Sequence, residues 1–444
     1  MPEQWTSKFG FIMAASGSAI GLGNLWKFPY VAGRNGGALF LIIYVVFLLL
    51  LGFPILLSEL AIGRYAGMNA VASCRKIDRK WGFVGGLGIF GAFTVLSGYC
   101  VVGGWVLKYF ALSLFGENIP RDFFSEYSAR AIEPIVWTFI FAAITAIIVI
   151  GGVSGGIERV SSVLLPVLTV FLIGIMVYSL TLPNSSEGVK FFLVPDLAEI
   201  GSWKDIPRIA LSAMGQVFFS LSLGMGTLIT YGSYLPGSSG LVSNTFTIII
   251  FDTAIAVIAS FAILPAVFSL GLEPTAGPGL LFSTLPSVFA RLPVGRIIGS
   301  VFFLLVFFAA VTSAISLFEV IVAWFSAVSG LSRKLSTVIS SAVIFVISCL
   351  ASLSFGALSG FRIGRMSFFE FLEFLSDKLI MPLGGILICI LVGYKWGIKP
   401  ASNEITNQGR LKFRLRKLFE ISVKYLSPAL IAVIFVFSLI GAFE

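Results

Sequence analysis

Long runs without a charged residue alternate with short charged loops along almost the whole chain. A membrane-spanning helix needs about 20 consecutive apolar residues, and the runs lack the roughly ten-residue alternation of membrane β-strands. The charge-free runs are 9–26, 35–58, 81–107, 134–157, 160–186, 209–251, 253–272, 297–318, 335–361, 379–394 and 425–443. They predict an all-α polytopic membrane protein, one transmembrane unit over 1–444 with eleven spans at about 9–31, 38–62, 82–113, 134–152, 160–182, 207–231, 241–270, 296–328, 335–356, 368–395 and 424–443.

Composition supports this prediction and excludes other classes of protein. Of the 444 residues, 57% are hydrophobic and 11% are charged, whereas soluble proteins carry about 25% charged residues. A soluble enzyme, a disordered chain and a secreted disulfide scaffold are excluded, because even large soluble domains keep part of their surface wet. With no His and four scattered Cys, a dedicated His/Cys metal site is not expected.

The distribution of Lys and Arg predicts the orientation. Basic residues cluster after span 2 (64–80), after span 8 (333–334) and after span 10 (395–424), and the net charge is +9. Cytoplasmic loops carry such an excess and lie beside anionic lipid, so membrane lipid rather than nucleic acid is the expected partner. We expect a cell inner or plasma membrane, a cytoplasmic N-terminus and, after an odd number of spans, an extracellular C-terminus.

Five charged residues interrupt the apolar runs: Lys27, Glu59, Asp252, Glu319 and Glu373. A charge inside a span is costly and marks a functional site by default, whereas a charge near an interface can snorkel to water. Asp252 lies in mid-run, between TFTIIIF and TAIAVIASF. A buried carboxylate there needs a cation or a proton, unless it only pairs with a neighbouring hydroxyl.

Spans 1 and 6 contain clustered glycines. Span 1 reads ASGSAIGLGNLWKFPY and span 6 reads GQVFFSLSLGMGTLITYGSY. A glycine costs about 1 kcal/mol relative to Ala in a helix interior, and close helix packing is one reason to keep it. Two interrupted spans that lie five apart instead indicate a transporter binding site at the membrane midplane, between the inverted repeats 1–5 and 6–10.

These segments resemble the neurotransmitter:sodium symporter family, whose bacterial type member is LeuT. The resemblance covers nearly the whole chain. It is carried by GSAIGLGNLWKFPY in span 1, NGG at 35–37, FPILLSELAIGRY in span 2, GIERVS before span 5, GQVFFSLSLGMG in span 6 and AAVTSAIS in span 8. It implies a LeuT-like inverted 5+5 helix repeat with an eleventh helix, and sodium-coupled import of an amino acid by alternating access.

The resemblance also implies two sodium sites built from oxygen ligands, which suit a hard cation. The first site would contain the Ala19 carbonyl, Asn24, Ser220, Asp252 and the substrate carboxylate. The second would contain the carbonyls of Gly17, Ile20 and Ala309 and the hydroxyls of Thr312 and Ser313. Chloride-dependent relatives carry a neutral residue in span 7, so the negative charge of Asp252 implies that chloride is not required.

For the substrate, the resemblance implies a pocket at the broken end of span 1. The amides of Leu22 and Gly23 and the Tyr99 hydroxyl would bind the carboxylate, since a half-helix end favours an anion. Carbonyls of Ala19, Phe219 and Ser220 would bind the ammonium. Around the side chain would lie Ser18, Val95, Tyr99, Phe219, Ser222, Met225, Ser313 and Leu317. This lining carries no charge and Met is adaptable, so a hydrophobic or aromatic L-amino acid is expected.

The chain departs from the family pattern at both gates. The outer Arg–Asp pair becomes Lys27 and Glu373, next to Phe219, and Lys lacks the fork of Arg. The positions of the inner Arg–Asp pair hold Pro2 and Ala327, so inner closure is expected to depend on Trp5, packing and other polar contacts. The resemblance further implies that the stretch from Gly156 to Pro166 can unwind, the alternative being an ordinary proline kink.

Three other functions stay open at this point. A nontransporting amino acid sensor can be built on the same fold, since a fold does not determine function. A channel would need a continuous pore, which gate residues argue against. An enzyme is disfavoured, because the sequence has no His, no nucleophile–base pair and no nucleotide motif. The preferred amino acid, the number of sodium ions and the oligomeric state are not predicted.

Overall fold

The computed structural model describes residues 3–116, 119–120, 122–195, 206–269, 280–291 and 294–443. Within these ranges, nine helices are long and apolar enough to cross a membrane. They correspond, in chain order, to spans 2, 3, 4, 5, 7, 8, 9, 10 and 11. Their bounds are Ala38–Ala66, Arg79–Phe115, Glu133–Ile150, Val153–Leu180, Leu241–Ser269, Gly295–Ser329, Arg333–Leu353, Phe368–Ile405 and Arg416–Phe437.

Spans 1 and 6 are each interrupted. Span 1 consists of Lys8–Ala19 and Gly23–Arg34, which meet at an angle of 55°. Span 6 consists of Ile206–Ser220 and Thr227–Ser233. Counting span 1 once raises the number of candidate crossings in the described residues to ten. The two halves of span 6 are individually short, so its crossing, and with it the total of eleven, stays a prediction.

Short elements connect the spans. The helices are Ala70–Ile77, Phe123–Ala129, Ser185–Leu193 and Leu285–Ala290, the last preceded by a π-helical turn, Leu280–Thr284. The strands Arg362–Ile363 and Met366–Ser367 pair antiparallel. Span 10 then begins with a capping box in which Ser367 and Glu370 satisfy each other's backbone amides, a geometry that stabilises a helix start.

Three span limits differ from the predicted ones. Span 5 begins earlier, at Val153, span 10 continues to Ile405, and span 11 begins at Arg416. Charged residues end an apolar run but not a helix, so the last turns of span 10 and the first turns of span 11 extend beyond the predicted membrane segment. In span 5 the helix Arg159–Leu180 continues through Pro166. The predicted unwinding is absent from this conformation and stays a prediction.

Burial identifies the centre of the bundle. In the most apolar 18-residue stretch of span 8, 78% is buried within the protein, whereas in the corresponding stretch of span 5 only 28% is buried. Span 5 therefore presents side chains such as Val163 and Val170, which are 57% and 68% exposed, on the outer surface of the bundle. Spans 1, 6 and 8 lie inside, where their interruptions and polar side chains are shielded from lipid.

Candidate transport site

The interruptions of spans 1 and 6 lie side by side. Gly224 has φ +80°, and a Cβ at this position would lie 2.6 Å from the Met381 carbonyl oxygen. Only glycine tolerates both that dihedral and that approach. The Ser222 hydroxyl donates across the two breaks to the Ser18 carbonyl, at 3.1 Å. Protein thus encloses the unwound backbone, which is the condition for non-helical backbone at membrane depth.

Span 2 supplies a buried carboxylate to the same interruption. Glu59 is 0% exposed, and its Oε1 accepts a hydrogen bond of 2.7 Å from the Gly224 N–H. The sequence marked Glu59 as an unexplained charge within a span. In the structure it binds an amide that the broken helix leaves without an intrahelical partner, so it supports the break of span 6.

Asp252 of span 7 is fully buried against Asn24 and Ser220. The Asn24 side-chain amide donates to Asp252 Oδ1 at 2.7 Å and to its backbone carbonyl at 3.1 Å. The Ser220 hydroxyl lies 3.0 and 2.9 Å from the two carboxylate oxygens. No Lys or Arg among the described residues pairs with Asp252. An unbalanced buried carboxylate binds a cation or a proton, and this oxygen-rich cluster suits a hard cation.

A second group of oxygens joins span 1 to span 8. The Ser313 hydroxyl lies 3.2 Å from the Gly17 carbonyl oxygen and 3.4 Å from that of Ile20. The Thr312 hydroxyl lies 3.1 Å from the Ala309 carbonyl oxygen, and a Cβ on Gly17 would approach Thr312 Cβ to 3.0 Å. The fold therefore brings together the five residues that the sequence assigned to the second sodium site, and none of them carries a formal charge.

A small cavity of about 30 Å³ adjoins these clusters. This is far below the roughly 300–1,000 Å³ of ordinary small-molecule pockets, so the pocket must expand to take an amino acid. Ten of the predicted substrate residues line it: Ser18, Ala19, Gly23, Val95, Tyr99, Phe219, Ser222, Met225, Ser313 and Leu317. Gly21 and Met381 also line it, and the sequence did not predict them. Met381 comes from span 10, and no local pattern marks it.

The other two predicted substrate residues lie beside the cavity. The Leu22 N–H donates to the Tyr99 hydroxyl at 3.0 Å, which leaves the Tyr99 hydroxyl proton able to donate to another oxygen. Ser220 belongs to the Asp252 cluster. Asp252 is the carboxylate of that cluster. Among the described residues there is no group of three or more His, Cys, Asp or Glu side chains that could hold a metal ion.

The side of the site at the end of span 1 opens into a vestibule of about 530 Å³. Lys27 lies across it, with Nζ 3.3 Å from Asp377 Oδ2 and 3.7 Å from the centre of the Phe219 ring. The expected pairing of Lys27 with Glu373 is therefore not formed here. Glu373 and Asp377 both line the vestibule, about one helical turn apart in span 10, and Lys27 pairs with Asp377.

An aromatic cluster closes the opposite side of the site, near the start of span 1. The Trp5 indole N–H donates to the Tyr231 carbonyl at 3.0 Å. The Trp5 ring packs edge-on against the rings of Tyr231 and Tyr234, with centroids 5.1 and 6.2 Å away. This packing covers the second half of span 6, in agreement with the expected contribution of Trp5. Pro2 lies outside the described residues.

An ion pair that the sequence did not predict lies beside this cluster. Arg333 pairs with Glu319, which is 0% exposed, and Glu319 Oε1 accepts a hydrogen bond of 2.7 Å from the Tyr234 hydroxyl. The sequence marked Glu319 as a charge within a span and counted Arg333 only for orientation. The opposite charges of Glu319 and Arg333, on either side of the end of span 8, were the available signal. The turn at Gly330 brings the two side chains together, and its geometry cannot be read from the sequence.

Comparison with known sequences agrees with this geometry. A family model described as "Sodium:neurotransmitter symporter family" matches residues 2–124 and 126–443. The uncharacterized sodium-dependent transporter YhdH of Bacillus subtilis (strain 168) is 37% identical and aligns with 99% of this chain and 98% of its own length. An uncharacterized sodium-dependent transporter of Haemophilus influenzae is 32% identical, with 98% of both chains aligned.

A solved structure is similar over the same length. MhsT, whose crystal structure was solved in complex with L-phenylalanine, matches with a TM-score of 0.89 and 40% identity, over 98% of this chain and 99% of that chain. The match confirms the LeuT-like inverted-repeat fold, and the relatives are transporters rather than enzymes. The chain therefore belongs to the sodium:neurotransmitter symporter family and is a sodium-dependent, multi-pass membrane transporter.

Proposed function

We propose that this protein imports a hydrophobic or aromatic L-amino acid together with Na⁺, by alternating access and without chloride. The observation that carries the proposal is the Asp252 carboxylate. It is buried beside Asn24 and Ser220, and no basic residue of the described chain balances it. A cation at this carboxylate would lie next to the cavity that holds the substrate, which couples the binding of the two.

The cavity lining favours an apolar substrate side chain. Val95, Met225, Leu317 and Met381 supply hydrocarbon and thioether groups, and no charged residue lines the cavity. A charged side chain would lose its hydration there without gaining a partner. MhsT holds L-phenylalanine, which supports the same substrate class for this chain. The substrate carboxylate would then bind near Tyr99, at the broken end of span 1, where a half-helix end favours an anion.

We propose two sodium ions. The first binds at Asp252, Asn24 and Ser220 with the Ala19 carbonyl, and the substrate carboxylate completes its coordination. The second binds between span 1 and span 8, at Thr312 and Ser313 and the carbonyls of Gly17, Ile20 and Ala309. Because the second ion bridges two helices through neutral oxygens, its occupancy would hold those helices together and its release would free span 1 to move.

We propose a cytoplasmic N-terminus, an extracellular C-terminus and a location in the cell inner membrane or plasma membrane. The basic loops after spans 2, 8 and 10 support this orientation, since Lys and Arg are enriched in cytoplasmic loops. In that orientation the vestibule at Lys27 and Asp377 faces the outside, and the Trp5 cluster faces the cytoplasm. Import then requires closure at Lys27 and opening at Trp5.

Uptake by purified protein in liposomes tests the function. We expect an inward sodium gradient to drive accumulation of labelled L-phenylalanine above its external concentration, with no accumulation when choline replaces sodium. Unlabelled Leu, Trp and Tyr should compete, whereas Glu and Lys should not. Sodium-dependent binding without uptake would indicate a sensor, and equilibration without a sodium requirement would indicate a channel.

The double variant Thr312→Ala/Ser313→Ala tests the second sodium site. It removes two hydroxyl ligands with little change in volume, and a hydrogen bond or ligand contact to a charged group is worth about 1.5–3 kcal/mol. We expect poor uptake and a sodium half-saturation raised by more than about tenfold. The control Thr245→Ala/Ser260→Ala removes two buried hydroxyls that bond only to their own helix, span 7. An unchanged sodium requirement in the first variant would show that the site is misplaced.

Met225→Phe tests the determinant of substrate size. A methylene in a hydrophobic pocket is worth about 1–3 kcal/mol, and the larger ring should fill the space that a Trp or Tyr side chain needs. We expect the ratio of kcat/KM for Leu to that for Trp to rise by about tenfold or more relative to the parent protein. An unchanged ratio would show that Met225 does not determine which substrate side chains fit the pocket.

Asp252→Asn tests the charge balance at the first sodium site. We expect gluconate in place of chloride to leave uptake by the parent protein unchanged, because Asp252 already supplies a negative charge. The variant preserves the shape but leaves the sodium charge unbalanced, so uptake should fall by at least about tenfold. Asp122→Asn, at an exposed loop position, is the matched control. Normal transport by Asp252→Asn at saturating sodium would mean that this carboxylate only supports packing.

A further inference from the structure

Two acidic residues fasten the N-terminal segment to the start of span 5. We propose that Glu3 and Glu158 are positioning residues that hold the inner side of the transporter closed, so that their contacts must break before substrate and sodium leave toward the cytoplasm. We name this set of contacts the N-terminal latch; its residues are Glu3, Thr6, Ser7, Val153 and Glu158. The inference rests on the proposed transport function and deepens it.

Glu158 binds the N-terminal segment through four hydrogen bonds. Thr6 donates its backbone N–H to Oε2 at 2.8 Å and its hydroxyl to Oε1 at 2.6 Å. Ser7 donates its N–H and its hydroxyl to Oε1, at 3.1 and 2.9 Å. Glu158 is 4% exposed and forms no salt bridge with a described residue. Its charge is stabilised by these donors at the start of span 1, where the helix dipole favours an anion.

Gly10 makes room for this carboxylate. A Cβ at Gly10 would lie 1.9 Å from Glu158 Oε1, which is closer than any real contact. Ser7 is the N-cap of the helix Lys8–Ala19, and its hydroxyl accepts the Gly10 N–H at 2.9 Å while donating to Glu158. Any side chain at Gly10 must therefore displace Glu158, which provides a second way to open the latch without changing the acid itself.

Glu3 forms the other attachment. Its Oε2 accepts the Val153 N–H at 2.9 Å, and its Oε1 lies 3.5 Å from Arg333 Nη1. Val153 and Glu158 are the first and last residues of the π-helical stretch that opens span 5. The N-terminal segment is thus held at both ends of one short stretch, and Arg333 links it to the start of span 9.

Trp5 lies between the two attachments in the sequence. Its backbone N–H donates to the Tyr234 carbonyl at 3.3 Å, in addition to the indole contact with Tyr231. With Glu3 and the pair Thr6 and Ser7 fixed on span 5, Trp5 stays on the second half of span 6. The latch therefore controls the residue that covers the inner end of the transport pathway.

The pair Glu3–Arg333 has its charges exchanged relative to the inner Arg–Asp pair of the family pattern. In the family pattern the N-terminal segment supplies an Arg and span 8 an Asp. Here Ala327 offers no charge, the N-terminal segment supplies the acid Glu3, and the base is Arg333. The attraction across the inner side is retained with the signs exchanged, and Glu158 adds a buried anchor.

Loss of the latch should increase the population of molecules open to the cytoplasm. Affinity measured from the outside falls in proportion to the fraction of binding-competent molecules. Substrate binding should therefore require more sodium, while maximal binding at saturating sodium is retained. A carboxylate that only caps the helix of span 1 would not change the sodium requirement.

The experiment measures sodium-dependent binding of labelled L-phenylalanine by the full-length protein and by Glu158→Gln. Glutamine keeps the shape but turns one acceptor into a donor that faces other donors. Since couplings between sites are commonly about 5–150-fold, we expect the sodium half-saturation to rise at least about fivefold, with maximal binding within about twofold of the parent. Glu187→Gln, at an exposed position of the short helix Ser185–Leu193, should match the parent.

Two further variants guard against a folding defect. Gly10→Ala should raise the sodium half-saturation in the same direction, because it displaces the carboxylate. Thr6→Val removes one hydroxyl donor to Glu158 and leaves the Ser7 cap intact, and its effect should not add to that of Glu158→Gln, since both change the same contact. Fully additive effects would mean that Glu158 and the Thr6 hydroxyl act separately, which overturns the latch.

Hydrogen–deuterium exchange supplies a readout that does not depend on transport. With the latch broken, the amides of residues 6–12 and those of residues 227–235, beneath Trp5, should both exchange faster. Faster exchange in 6–12 alone, with an unchanged sodium requirement, would reduce Glu158 to a helix cap and overturn the inference. If the parent protein does not bind L-phenylalanine with sodium, the proposed function fails, and exchange in 227–235 alone decides whether the latch exists.

Discussion

Backbone amides and carbonyls that leave a helix inside a membrane must find partners within the protein. In this chain the interrupted spans 1 and 6 satisfy that constraint through side chains from other spans. Glu59 of span 2 accepts the Gly224 amide, and Tyr99 of span 3 accepts the Leu22 amide. The breaks are therefore stable only in the assembled bundle, and the cavity and both oxygen clusters form around them.

Three fully buried carboxylates illustrate how partners decide a role. Glu59 accepts a backbone amide, and Glu319 is paired with Arg333 and receives the Tyr234 hydroxyl. Asp252 receives only the neutral donors of its cluster. Since an isolated charge is costly away from water, Asp252 and Glu59, which have no basic partner among the described residues, each need a cation or a proton. Of the two, Asp252 lies in a cluster of side-chain oxygens with Asn24 and Ser220, which suits a hard cation.

The two sides of the site are closed by interactions of different strength. Beside the vestibule the Lys27 and Asp377 side chains are 34% and 29% exposed, and solvent-exposed ion pairs contribute about 0–1 kcal/mol. Near Trp5 the Glu319 side chain is 0% exposed and its partner Arg333 is 22% exposed, and removing one partner of a buried pair costs about 3–5 kcal/mol. In this conformation the Lys27 side of the site is therefore held less strongly than the Trp5 side.

The sequence by itself determined the membrane class, most span limits, the two interrupted spans and most of the residues around the site. These follow from properties read within one segment: an apolar run, a pair of glycines, or a motif. The partners of Lys27, Glu319 and Glu158 were decided only by the tertiary structure. Lys27 and Asp377 are 350 residues apart, and because Glu373 also lines the vestibule, the sequence does not say which of the two acids Lys27 reaches. Such pairs depend on the relative rotation of helices remote in the chain, which no local pattern encodes.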